Sequence, residues 1–308
     1  MAKKVAILGG TGMLGAMMTR VMSEQSNLDV WATRRPGNSP TPSLLEWRNL
    51  DAAHAQVTDC RHAIAGARWV INCIGITKPY VEETDGGKIE RAIRVNASFP
   101  HLLAEAAQLE EARVLQIATD CVFSGTTGNY VESDIHDAND VYGKTKSLGE
   151  VFSENVHHLR YSIIDPEFKG HKFLLDWFLA QPTSSRLNGF TNHMWNGITT
   201  LHFAHVIAGI VRTDRALPRL QHLVPAGRVN KAELLEMFAH FYRRGDIQIN
   251  KVHARPSVDR TLITSNAELN AALWSTAGYA TPPTLQEMVK ELAQYPAFYE
   301  AGEHKVYG

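Results

Sequence analysis

Tyr142 and Lys146 stand four residues apart in the run Tyr142-Gly143-Lys144-Thr145-Lys146. On a helix, positions i and i+4 share a face, so a phenol and an ammonium would reach one ligand together. An ammonium beside a phenol lowers the phenol's pKa and lets it exchange a proton near neutrality. That spacing alone is common by chance. Here it follows Ile117-Ala118-Thr119-Asp120-Cys121-Val122-Phe123-Ser124-Gly125, which sets the Thr119 hydroxyl at the end of a predicted strand. In open α/β sheets, sites form at that edge. The second informative stretch is Val5-Ala6-Ile7-Leu8-Gly9-Gly10-Thr11-Gly12-Met13-Leu14-Gly15. An apolar strand there meets a turn with Gly9, Gly12 and Gly15 at intervals of three, and with Thr11, Met13 and Leu14 among them. Gly9 permits the tight turn, Gly12 a close approach of backbone to a pyrophosphate, and Gly15 close packing of the following helix.

These groups need a scaffold, and the hydrophobic pattern supplies one. It predicts strands over 5–8, 28–32, 44–47, 69–74, 113–118 and 158–164, with helices over 13–22, 57–65, 89–95, 100–109 and 142–152. Alternation of this kind implies an α/β fold, a doubly wound, Rossmann-like parallel sheet. Past Asp165 the rhythm breaks. Helices are expected near 172–179, 202–211, 231–242 and 284–293, joined by loops. Residues 1–165 therefore read as the dinucleotide-binding domain. Residues 166–308 read as a smaller, mostly helical substrate lobe, with some segments returning to the first domain. The pair His157-His158 reads as a turn between helix and strand.

The cofactor follows from the second strand. A site for NAD places a carboxylate about 20 residues beyond the glycines. This chain has Arg34-Arg35 there, and guanidiniums make bidentate contacts to phosphate. NADP(H) is therefore favoured over NAD(H), against the alternative of a solvated basic turn. Asp51 would accept a bond from an adenine amino group or serve as a helix cap.

As an ordered set, these motifs resemble the extended short-chain dehydrogenase/reductases, and more narrowly the dTDP-4-dehydrorhamnose reductase family. The set comprises the glycine turn, Ile71-Asn72-Cys73-Ile74-Gly75-Ile76-Thr77, Val95-Asn96-Ala97, the Thr119 strand end, Tyr142 with Lys146, and Arg160. The resemblance implies a catalytic triad of Thr119, Tyr142 and Lys146, and a turn at Cys73, Ile74 and Gly75 lying along the cofactor. It further implies an NADPH-dependent reductase acting on a keto group of a nucleotide-linked sugar. A sugar dehydratase of this superfamily carries Thr-Asp-Glu where this chain has Thr119-Asp120-Cys121. A thiol cannot take the acid role of that carboxylate, so dehydration is disfavoured. A nucleotide-sugar epimerase with retained NAD and a non-catalytic dinucleotide-binding partner are the alternatives.

The substrate is expected at Asn188-Gly189-Phe190-Thr191-Asn192-His193-Met194-Trp195-Asn196-Gly197. Amides, an imidazole and aromatic rings alternate there, a composition that stacks on a sugar or base and bonds its hydroxyls. Asn188, Phe190, Asn192, His193 and Trp195 are the candidate contacts. The competing reading is a polar loop anchored by its rings. Arg255 and Arg260 suit either a diphosphate or surface ion pairs. No relay to Ser147 or Thr145 is evident, and no metal-ligand spacing occurs around His193.

Composition narrows the partners. A formal net charge of -1 over 308 residues gives no basic bias toward nucleic acid or an anionic membrane. The three cysteines fit neither a disulfide framework nor a zinc site, which points to a reducing compartment. No apolar run reaches the roughly 20 residues of a membrane span. A cytoplasmic protein with a small-molecule substrate is the expectation, and a homodimer is left open.

Overall fold

The computed structural model describes residues 2–37, 45–166 and 172–295. The first half alternates as expected. In order come β1 (Lys3–Leu8), α1 (Met13–Ser23), β2 (Leu28–Arg34), β3 (Glu46–Asn49), α2 (Val57–Ile64), β4 (Trp69–Asn72), α3 (Gly86–Ala92), α4 (Phe99–Leu109), β5 (Arg113–Thr119), α5 (Val141–Leu148), β6 (Val156–Tyr161) and β7 (Ile163–Ile164). Then follow α6 (Leu174–Leu179), β8 (Arg186–Phe190), β9 (His193–Trp195), β10 (Ile198–Thr199), α7 (Thr200–Thr213), β11 (Leu220–His222), β12 (Val229–Asn230), α8 (Lys231–Phe241), β13 (Gln248–Val252), β14 (Val258–Asp259), α9 (Ala267–Thr276) and α10 (Leu285–Gln294).

Among the described residues, seven strands form a sheet in the order β11-β6-β5-β4-β1-β2-β3, with every pairing parallel. Its inner strands β1 and β4 are largely apolar because both faces are covered. On one face Met17, Met18, Val21 and Met22 of α1 pack with Phe203, Ile207 and Ile210 of α7. On the other, Cys60 and Ile64 of α2 pack with Leu103, Ala106 and Ala107 of α4. From β1 the chain runs outward to β2 and β3, then jumps back to β4 on the other side of β1. That reversal opens a crevice beyond the strand ends, where such sheets bind ligands.

The second half is not a separate helical body. β11 extends the large sheet beside β6, and α7 lies against α1. Three strand pairings also appear where the sequence predicts loops: β8 with β13, and β9 with both β12 and β14. These strands are only two to five residues long and pair across about 30 to 70 positions of chain, which a local pattern does not carry. The helix α9 was likewise not foreseen. The predicted strand 44–47 starts on Leu44, outside the described residues, and is found as β3 at Glu46–Asn49.

His157 and His158 lie inside β6, buried, not in a turn. His158 Nε2 accepts from the Val151 amide (3.1 Å) while Nδ1 faces the Arg219 carbonyl (3.1 Å), so its polar atoms are met inside the core. Arg160, fully buried in the same strand, forks onto both oxygens of Glu150 (2.6 and 2.7 Å) and donates to His136 (2.8 Å) and His222 (3.0 Å). This network joins β6, β11 and the segment after α5. A buried guanidinium is tolerable only with partners of this kind, which Nη1 and Nη2 have and Nε lacks.

Candidate active site

The crevice is built by glycine. Gly9 leaves β1 with φ +79°, a left-handed conformation that an L side chain rarely adopts. A Cβ there would lie 2.8 Å from Ile74 Cγ1, so the turn after β1 and the turn after β4 touch. On Gly15 a Cβ would stand 2.1 Å from the Gly9 carbonyl oxygen, so only glycine lets α1 dock on its own turn. Gly12 is different: exposed, with nothing nearer than 3.4 Å to such an atom, it leaves space on the ligand side. Gly12 is also the cap of α1, and no side chain caps its first-turn amides. Those amides and the helix dipole suit a pyrophosphate, so the residues present fit a dinucleotide. Thr11 and Met13 are half-buried in this turn, and Leu14 packs into the core.

The crevice walls come from β2 and β4. Thr33 accepts the Gly9 amide through its hydroxyl (2.9 Å) and the Gly10 amide through its carbonyl (2.9 Å). That places Arg34 and exposed Arg35 just past the glycine turn. Asp51 accepts from the Ala53 amide (3.1 Å) and faces His54 Nδ1 (3.0 Å), the local-cap alternative for that residue. Burial raises its pKa and its bonds lower it further, leaving it below the ordinary carboxylate value. After β4, Ile74 donates its amide to Asn72 Oδ1 (3.1 Å), which shapes the turn of Cys73, Ile74 and Gly75. Burial holds the Cys73 thiol protonated, its pKa well above the usual range.

Thr119, Tyr142 and Lys146 converge at the end of β5. Thr119 Oγ1 accepts from the Cys121 amide (3.2 Å) and donates to buried Asp120 (3.2 Å). It also neighbours the Tyr142 phenol. Burial raises the phenol's pKa above its ordinary value; Cys121, Asp120 and Asp140 add to that rise and the Thr119 hydroxyl opposes it. The sequence reading expected the opposite direction, through Lys146. Instead the Lys146 ammonium donates to the Ile117 carbonyl (2.9 Å) and burial lowers its own pKa to about 8. The Cys121 thiol is pushed up to about 12, again by burial, and is no acid for dehydration at neutral pH.

Gly143 and Asn96, given no role by the motifs that contain them, make this convergence. Gly143 follows Tyr142, and a Cβ on it would stand 2.4 Å from the Cys121 carbonyl oxygen and 2.5 Å from Ala138 Cβ. Its absence lets α5 press against the strand end that carries Thr119. Asp140 caps the helix from the Gly143 amide (2.8 Å) and receives the Lys78 ammonium (2.6 Å). Asn96, buried in a π-helical segment (Ile93–Ser98), accepts from the Ile76 amide (2.8 Å). Through Nδ2 it reaches the Ile76 carbonyl (2.9 Å) and Thr145 Oγ1 (3.3 Å), so one amide ties the cofactor turn to α5. A π-bulge is itself a signal of function, but it is visible only in three dimensions. The predicted helix 142–152 stops at Leu148 because Gly149 closes on the Asn96 carbonyl, 1.9 Å from where a Cβ would be.

Ser147 does have a histidine neighbour: its Oγ lies 2.7 Å from His136 Nδ1. His136 Nε2 accepts from Arg160, so Nδ1 carries the proton and donates to the serine. That tautomer cannot take a proton from Ser147, and the pair is structural.

The 188–197 segment is pinned more than it is open. Asn192 accepts the Ala254 amide (2.9 Å) and donates to its carbonyl (2.8 Å), while Asn196 does the same for Leu262 (2.9 and 2.6 Å). His193 Nε2 faces the Pro256 carbonyl (3.2 Å), and Trp195, buried, donates to Ser162 (2.9 Å). Asn188 is exposed on β8, and Phe190, also exposed, packs its ring 4.7 Å from that of His193. Of the five candidates, Trp195 is joined to the corner of Thr119 and Tyr142, through Lys231, whose ammonium lies 5.3 Å from its ring and feels Asp120 and Cys121. Among the described residues, no group of three or more potential metal ligands occurs, and no helix is long and apolar enough to cross a membrane.

Over 152 residues the chain is 30% identical to methionine adenosyltransferase 2 subunit beta of Mus musculus, covering 48% of this chain and 42% of that protein. Over 152 residues it is 31% identical to a dTDP-4-dehydrorhamnose reductase of Mycolicibacterium smegmatis, covering 49% and 41%. The chain thus matches less than half the length of these curated relatives. Its fold is shared with the dTDP-4-dehydrorhamnose reductase of Yersinia enterocolitica (TM-score 0.74, 17% identity, 95% of this chain and 99% of that one). It is shared equally with that of Bacillus anthracis, solved in complex with NADP (TM-score 0.73, 17% identity, 95% and 99%). A family model described as the RmlD substrate binding domain matches residues 3–296, and the chain belongs to that family.

Proposed function

We propose that this protein is an NADPH-dependent reductase of a keto group on a nucleotide-linked sugar. The observation that carries the reading is the corner at the end of β5, where the half-buried Tyr142 phenol neighbours the Thr119 hydroxyl and Asn96 ties α5 to the turn after β4. NADPH, when bound at the Gly9–Gly15 turn, would supply a hydride for the carbonyl carbon. Tyr142 gives its proton to the oxygen that becomes the alcohol, and the Thr119 hydroxyl, turned away from Asp120, would hold that oxygen by a hydrogen bond. Lys146 keeps one N–H on Ile117 and has two left for ribose hydroxyls.

The finer preference for NADP(H) rests on Arg34 and Arg35 at the end of β2, beside the position of an adenosine ribose. Replacing both with alanine should lower the NADPH-over-NADH preference at least about tenfold, since each bidentate charged contact is worth roughly 1.5–3 kcal/mol.

The decisive experiment follows NADPH oxidation with a panel of nucleotide-linked keto sugars. Tyr142→Phe should lower turnover on the order of 10²–10⁴-fold with NADPH affinity retained. Wild-type turnover by that variant would sink the assignment. The relatives named as a subunit beta support one other reading, a dinucleotide-binding partner without chemistry. It gains if wild-type protein binds NADPH yet reduces none of the panel.

A further inference from the structure

Tyr142 is the second residue of α5, and the first turn of a helix is its loosest part, because its amides have no partner within the helix. In α5 two of those amides are met by carboxylates, and the two flank Tyr142. The Gly143 amide donates to Oδ1 of Asp140, the residue that precedes the helix (2.8 Å). The Val141 amide donates to Glu83 Oε1 (3.0 Å), 58 positions back along the chain. The second oxygen of Asp140, Oδ2, receives the Lys78 ammonium (2.6 Å), 62 positions back. Asp140 alone would tie the helix only to its own start. Lys78 and Glu83 tie it to a different segment.

That segment follows the turn of Cys73, Ile74 and Gly75. It has an order of its own: the Tyr80 and Val81 amides donate to the Thr77 (2.9 Å) and Lys78 (3.1 Å) carbonyls, closing a 3₁₀ turn over Lys78–Tyr80. Glu82 is paired with Lys88 of α3, and Glu83 is the carboxylate turned to α5. The Lys78 side chain is 54% exposed, and an ion pair so placed adds little to stability. Its effect belongs to where Tyr142 stands, and a reacting group misplaced by about 1 Å loses about 100-fold in rate. We propose that Lys78 and Glu83 are positioning residues for proton transfer: they hold the peptide units on either side of Tyr142, so that one segment sets both the turn expected along the cofactor and the place of the phenol. This rests on the reductase reading and adds two residues to that site.

The test follows NADPH oxidation with the panel of nucleotide-linked keto sugars, dTDP-4-dehydrorhamnose first. Lys78→Met and Asp140→Asn should each lower kcat about tenfold, with KM and NADPH affinity within about twofold of wild type. Asparagine still caps the Gly143 amide, so both variants lose the same ion pair, and the double variant should be no worse than either single one. Glu83→Ala should lower kcat by a similar factor. Lys78→Arg and Glu83→Gln, which keep a cation and an acceptor in place, should recover most of each loss. A kcat within twofold of wild type in both Lys78→Met and Glu83→Ala overturns the proposal. So does a raised KM at unchanged kcat, which would make the segment a substrate wall. So does a fall in kcat that tracks urea stability and is not recovered by Lys78→Arg. Each of these leaves the reductase reading standing, whereas a wild-type protein that reduces no member of the panel sinks both. Retained NADPH binding in each variant shows that it folds.

Discussion

The glycine turn at 9–15 and the polar stretch at 188–197 are about equally conspicuous in the sequence, yet they turned out differently. In the turn, the contacts that matter lie within a few residues: Gly12 donates its amide to Gly9 (3.0 Å), and Gly15 must clear the Gly9 carbonyl. In the stretch, the side chains answer to distant backbone, Asn192 to Ala254 and Asn196 to Leu262, 62 and 66 residues away. A motif whose partners are its own neighbours carries its geometry with it. A stretch that is merely rich in amides can be occupied entirely by strands the sequence does not place beside it.

The contrast can be broken most forcefully at Gly15. Gly15→Ala would drive a methyl into backbone that cannot yield, so a loss above about 3 kcal/mol of stability and of NADPH binding is expected. Urea unfolding and cofactor titration read it. Gly12→Ala is the control: its φ of -84° suits alanine, so stability should hold within about 0.5 kcal/mol. NADPH affinity should nevertheless fall roughly tenfold or more, because phosphate approaches on that side. Equal damage from both variants would refute the division between packing glycine and ligand glycine.

Gly143→Ala comes next. Pushing α5 off the Cys121 carbonyl displaces Tyr142 from Thr119, and misplacement by about 1 Å is worth about 100-fold in rate. Turnover should fall on that order, with a stability loss of about 1–3 kcal/mol. Unchanged turnover would separate the phenol's placement from the contact.

The buried histidines give a pH test of the frame that holds both regions. Burial lowers His158 and His222 to about 4, against 6.5 unperturbed. The fold therefore favours their neutral form, and their contribution is complete above pH 6.5. It is lost as pH falls from 6.5 toward 4, at up to on the order of 3 kcal/mol apiece. Unfolding midpoints should be level above pH 7 and fall through that window, with a shallower slope in His222→Asn. A level midpoint down to pH 4 would contradict the burial of these rings.

The smallest effects sharpen the other side. Asn192→Ala should destabilise by about 1–3 kcal/mol, since it leaves the Ala254 amide and carbonyl unmet, with little change in substrate KM. Asn188→Ala, on an exposed strand position, should change stability by less than about 0.5 kcal/mol. A raised KM at unaltered stability in either variant would restore that residue as a substrate contact.

Legibility followed the same divide within the catalytic corner. Tyr142 and Lys146 were legible because helical periodicity alone puts them on one face, and Thr119 because a strand end is a place as well as a residue. The work of Gly143 and of Asn96 was not, although Asn96 stands in one of the quoted motifs. One works by the absence of a side chain against residue 121, the other by bridging positions 76 and 145. Even the pKa of Tyr142 went against the local reading, because burial outweighs what the nearby ammonium was expected to do.

By itself, then, the order of residues determined the alternating sheet, the phosphate turn and the face shared by Tyr142 and Lys146, since each follows from contacts between near neighbours under backbone periodicity. Only the tertiary structure decided which amides at 188–197 are occupied, how α5 closes on β5, and that Lys78 and Glu83 reach the start of α5. Those depend on groups far apart along the chain and on how much water the fold removes around them, and neither quantity is written in any short run of sequence.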